Sequence, residues 1–66
     1  MAQKWEYKQV VTRVEAGAKV TYVEGQTAGI KTATDVLNEL GAQGWELVST
    51  TGDANEGMYM LKRARS

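Results

Sequence analysis

The stretch Leu37-Asn38-Glu39-Leu40-Gly41-Ala42-Gln43-Gly44-Trp45-Glu46-Leu47-Val48 changes its hydrophobic period partway along, and that change narrows the folds open to the chain. Ala33, Val36, Leu37 and Leu40 lie at the i, i+3, i+4, i+7 spacing of one helical face, which predicts a short amphipathic helix running up to the glycines. After Gly44 the period falls to two, with Trp45 and Leu47 alternating with Glu46, the mark of a half-buried strand. Gly44 is expected just past the helix end in a left-handed conformation that costs glycine nothing. Gly41 then falls inside the last turn, at a cost of about 1 kcal/mol relative to alanine. Its expected role is close approach of the helix to the sheet, beneath an indole.

The rest of the chain is read outward from this helix. Trp5, Tyr7, Gln9 and Val11 alternate with Glu6, Lys8 and Val10, so residues 4–13 are expected to form a strand. Glu15-Ala16-Gly17-Ala18 breaks the pattern and Lys19-Val20-Thr21-Tyr22-Val23 resumes it, which suggests a hairpin with a loop of about four residues. Gly25-Gln26-Thr27-Ala28-Gly29 reads as loop. Thr32 and Asp35 have capping-box spacing, with Asp in place of Glu or Gln, so the helix is predicted to start near Ala33. Residues 50–57 are polar with two glycines, and Met58 to Arg63 is extended again, making 45–63 a long-looped hairpin.

The pairing of Trp5-Glu6-Tyr7-Lys8 with the Leu37–Val48 run and a closing Tyr59-Met60-Leu61-Lys62-Arg63 resembles the small bacterial domain-of-unknown-function family 4177. The resemblance covers residues 4–12 and 33–63. It implies a compact strand, helix and hairpin domain. The family carries no accepted activity, so it implies no catalytic residue.

Length and composition bound what such a domain can do. A chain of 66 residues has room for one domain, and at that size folding buries only about 60% of the unfolded surface. There is no cysteine and no histidine, which removes disulfide staples and thiolate or imidazole metal sites. Eight basic and eight acidic side chains cancel, leaving no global field to draw nucleic acid or an anionic membrane. The start of the chain lacks the apolar run of a signal peptide and no stretch is long enough to span a bilayer, so a cytoplasmic protein is expected.

Five motifs invite chemistry and each has a plainer reading. Gly25-Gln26-Thr27-Ala28-Gly29-Ile30-Lys31-Thr32 nearly spells a phosphate-binding loop, but Ile30 stands where the glycine before the lysine belongs. What survives is an anion site at Lys31 and Thr32, where a helix N-terminus offers free amides. Gly41 and Gly44 match the glycine clamp of an RNA-binding KH domain, yet the residues after them read as strand where that domain has a helix. Asp53-Ala54-Asn55-Glu56 offers calcium-type oxygens at a spacing too short for an EF-hand loop. Asp35 and Glu39, at i and i+4, are read as a solvated helical face and not an acid/base dyad. Aromatics interleaved with Lys4, Lys8, Lys19, Lys62 and Arg63 could form a single-strand nucleic-acid platform. Neutral charge and the need for tryptophan as core volume weigh against it, so a nucleic-acid partner is not expected.

The sequence therefore predicts an α+β domain, a small antiparallel sheet of three or four strands with one α-helix packed on one face, in the order β-(β)-α-β-β. Alternation groups Trp5, Tyr7, Val11, Trp45, Leu47, Tyr59 and Leu61 on the face expected under the helix. The opposite face would show Glu6, Lys8, Val10, Glu46, Val48, Met58 and Met60. Val10, Val48, Met58 and Met60 would then form an apolar patch that a single helix does not cover. The expected protein is a non-enzymatic oligomerising or protein-binding module without cofactor, metal or membrane partner. It would be a homo-oligomer, a dimer first of all, using that patch. The rival reading is a small-ligand or nucleotide-binding oligomer with Lys31 facing an anion.

Overall fold

The computed structural model describes residues 3–53 and 56–65. Five strands form one antiparallel sheet, and a single helix lies on one side of it. In chain order the strands are β1 (Trp5–Glu15), β2 (Ala18–Val23), β3 (Gln26–Thr27), β4 (Glu46–Gly52) and β5 (Gly57–Ala64), with α1 (Ala33–Ala42) between β3 and β4. Their order across the sheet is β3-β2-β1-β5-β4. The sequence led to three or four strands; the fifth is β3, a two-residue strand inside the segment read as loop.

Two tight turns make this extension. Ala16 (φ 51°) and Gly17 (φ 78°) join β1 to β2, and Glu24 (φ 50°) and Gly25 (φ 82°) join β2 to β3. Positive φ at both central residues matches the twist of the flanking strands, so each connection needs two residues and not four. The second turn folds Gln26 back beside Val23 and Thr27 beside Tyr22.

The helix is fixed at both ends by local chemistry. Thr32 Oγ1 accepts from the Asp35 amide at 3.1 Å and an Asp35 carboxylate oxygen accepts from the Thr32 amide at 3.3 Å, completing the capping box. At the other end Gly44 has φ 94°. Its amide donates to the Gly41 carbonyl at 3.0 Å, and the Trp45 amide donates to the Leu40 carbonyl at 3.0 Å. This is a Schellman closure, whose customary apolar contact is made by Leu40 and Trp45, both in the core. Gly41 has a different role from the expected one, because an added Cβ there would meet nothing within 4 Å. Close packing therefore does not account for that glycine.

The core is small. Val10, Val36, Leu40, Trp45 and Leu61 are its buried apolar members, with Val23, Ala28, Leu37 and Tyr59 packed around them. Thr12 and Thr21 are buried beside them as a cross-strand pair. Among the described residues no buried side-chain polar atom lacks a partner.

Candidate functional site

Strand register decides which residues share a face: Trp45, Tyr59 and Leu61 lie on the helix side as alternation alone had them, while the assignment of β1 is reversed. In the β1–β5 ladder Val10 stands opposite Tyr59, Lys8 opposite Leu61 and Glu6 opposite Arg63. In the β1–β2 ladder Val10 stands opposite Val23 and Thr12 opposite Thr21. These residues form the side that the helix covers. Val10, expected in the uncovered patch, is fully buried at 0% exposure. Trp5, Tyr7 and Val11, expected beneath the helix, lie on the open side.

The open face is built in rows across the strands. One row runs Thr27, Tyr22, Val11, Met58, Thr51. The next is Gln9, Met60, Ser49, then Tyr7, Lys62, Glu46, then Trp5 and Ala64. Trp5, Tyr7, Val11, Tyr22, Met58 and Met60 thus make a continuous apolar stripe down the middle, edged by the hydroxyls of Thr27, Ser49 and Thr51. Exposure reaches 60% at Tyr7 and 39% at both Trp5 and Met58. A shallow cleft of about 230 Å³ opens beside the stripe, lined by Val11, Thr51, Gly52, Glu56, Gly57 and Met58. Met58 and Met60 are therefore on the uncovered side, as expected of them. Val48 is exposed for another reason: the ladder slips between Leu47 and Ser49, leaving it at an irregularity in the edge strand β4.

The charges on this face cluster at its two ends. Lys62 Nζ lies 4.1 Å from the centre of the Trp5 ring. Arg13 lies 5.3 Å from the centre of the Tyr22 ring, and the Tyr22 hydroxyl donates to Glu15 at 2.7 Å. That hydrogen bond holds the tyrosine proton and raises its pKa above the usual 10.0. The two rows between, those of Val11 and Gln9, carry no formal charge on their strands.

On the covered side the polar groups serve the packing of Trp45. Lys8 Nζ lies 4.8 Å and Arg63 Cζ 4.4 Å from its ring centre. The guanidinium of Arg63 donates from Nε to Glu6 at 2.8 Å, again to Glu6 from Nη2, and from Nη1 to the Gln43 carbonyl at 3.2 Å. This fork ties β1, β5 and the helix end around the indole. A polar groove of about 320 Å³ beside it is lined by Glu6, Arg63, Ala64 and Arg65.

The remaining sequence candidates fall elsewhere. Lys31 Nζ pairs with Glu39 at 2.8 Å, and the Thr32 hydroxyl is occupied by the cap. The expected anion site thus has its cation matched by Glu39 and two carboxylates, Asp35 and Glu39, on the same turns of helix. In the Asp53–Glu56 segment Asp53 Oδ1 accepts from the Glu56 amide at 3.0 Å; residues 54 and 55 of the calcium reading lie outside the described residues. Among the described residues no three acidic or other metal-ligating side chains converge, and no helix is long and apolar enough to cross a membrane.

Comparison with protein families gives one identification. The chain belongs to the family described as Domain of unknown function (DUF4177), whose model matches residues 5–65 and so includes the β2 and β3 segment that the sequence resemblance left out. Comparison with curated proteins and with solved structures returns no match.

Proposed function

We propose that this member of the family is a non-enzymatic protein-interaction module of the bacterial cytoplasm, and that its working surface is the open sheet face. One observation carries the reading: six apolar side chains, three of them aromatic, form a continuous stripe on a face that no element among the described residues covers. A soluble domain seldom leaves such a stripe in water without a partner for it. Its composition is that of an interface centre, where tryptophan, tyrosine and methionine are enriched and charge is displaced to the rim. The non-enzymatic part rests on the lack of histidine and cysteine and on carboxylates engaged in structural tasks, Glu6 with Arg63 and Glu39 with Lys31. A chain without cysteine also gains nothing from an oxidising compartment.

A photo-crosslinking amino acid at Tyr7 tests the reading, with the same group at Thr34 on the exposed side of the helix as control. Illumination in extract is expected to give a protein adduct from position 7, whatever the partner and a second copy included, and none from position 34. No adduct from position 7, or equal adducts from both, would overturn it.

A further inference from the structure

We infer that the occupant of the open face is a second copy of this chain, stacked face to face about a two-fold axis lying across the strands over the Gln9–Met60 row. This inference rests on the interaction reading above and names its partner.

Strands β1, β2, β4 and β5, with 11, 6, 7 and 8 residues at about 3.4 Å along and about 4.8 Å across for each residue, give about 500 Å² in flat projection, with β2 standing beside only the Val10–Glu15 part of β1. With the relief of the side chains this approaches the roughly 800 Å² per partner of a standard interface.

The strands of the face carry two cations, Arg13 and Lys62, and two anions, Glu15 and Glu46, Glu56 stands at the cleft on its rim, and the whole chain is neutral. A copy meets its mate without net repulsion, whereas a polyanion such as single-stranded nucleic acid finds no net attraction.

The order of the rows is self-complementary about the Gln9–Met60 row. A two-fold axis there reverses the strands and lays each row over the one equally far on the other side. Tyr7, the most exposed aromatic at 60%, then falls over Val11 of the mate and beside the cleft lined by Val11 and Met58. Lys62 falls over Met58, and Glu56, which lines the same cleft, comes within its reach. Trp5 falls over Arg13, cation to ring. Each contact occurs twice by symmetry, and aligned sheets packed about 10 Å apart leave room for these side chains to interdigitate.

Sedimentation equilibrium of the purified chain at micromolar concentration tests this. The expected mass is twice 7.2 kDa. Tyr7→Lys should give the monomer mass with an unchanged far-ultraviolet circular dichroism spectrum. Lys62→Glu should weaken the dimer several-fold, and adding Glu56→Lys to it should recover most of that loss, because the pair is restored with its signs exchanged. A monomeric native chain, a dimer that survives Tyr7→Lys as edge pairing through β4 would, or a double variant no tighter than Lys62→Glu alone would overturn the two-fold. If fluorescence of Trp5 instead reports a monomer binding a single-stranded oligonucleotide, the inference also falls. A protein adduct at position 7 from a chain that sediments as a monomer would sink the second copy and leave the interaction reading standing.

Discussion

Tyr7 and Val10 are three residues apart on β1 and face opposite ways, and the account depends on that difference. Val10 is buried among Leu61, Val36 and Leu40, so Val10→Lys places an unpaired charge in the core. The cost of several kcal/mol compares with the whole stability of a domain this small, and thermal melting should show no cooperative transition. Tyr7→Lys should keep the fold, since its ring stands in the open; a loss of fold in both variants would mean the faces are wrongly assigned. Gly44 offers a second residue-scale test. At φ 94° its backbone suits glycine, while an added Cβ would make only an ordinary 3.5 Å contact with Arg63. Gly44→Val should therefore destabilise by about 1–2 kcal/mol more than Gly44→Asn in urea unfolding, because a β-branched residue resists positive φ most. Equal losses would indicate packing against Arg63 as the reason for glycine.

At the scale of the element, the helix and its ends were legible in the sequence because their determinants lie within a few residues of one another. Thr32 and Asp35 cap it, Gly44 ends it, and Trp45 docks against Leu40 one turn back. Thr32→Ala should lower stability by about 1 kcal/mol, read as a shift of the urea midpoint with unchanged slope; no shift would mean the helix start is held by packing alone. Strand faces were not legible in the same way. Alternation says that Trp5, Tyr7 and Val11 lie together and that Lys8, Val10 and Thr12 lie together, but not which set meets the helix. Aromatic content favoured the first set. Long-range pairing chose the second, because Val10 aligns with both Val23 and Tyr59, and Lys8 escapes burial by laying its ammonium on Trp45. β3 was missed because its two residues carry no periodicity of their own, and alternation could not foresee that the slip between Leu47 and Ser49 resets the parity of β4 and leaves the exposed Val48 outside the ladder.

For the molecule as a whole, one short helix over a five-stranded sheet leaves the domain one layer short of enclosing its apolar side chains. Five buried apolar residues among those described are a slender core, and with no cysteine or histidine in the chain neither a disulfide nor a histidine-held metal reinforces it. The sequence did show that one helix cannot cover two faces, and Met58 and Met60, two of the four residues it set in the uncovered patch, stand on the open face. The account's central claim is that this surface is covered when the protein is at work. Carbene footprinting of the native chain across a dilution series measures that directly, with the fully exposed Ile30 as internal reference. The account predicts that Trp5, Tyr7 and Met58 are protected at high concentration and gain label on dilution while Ile30 stays constant. Labelling of those three that tracks Ile30 at every concentration, in purified protein and in extract alike, would contradict it.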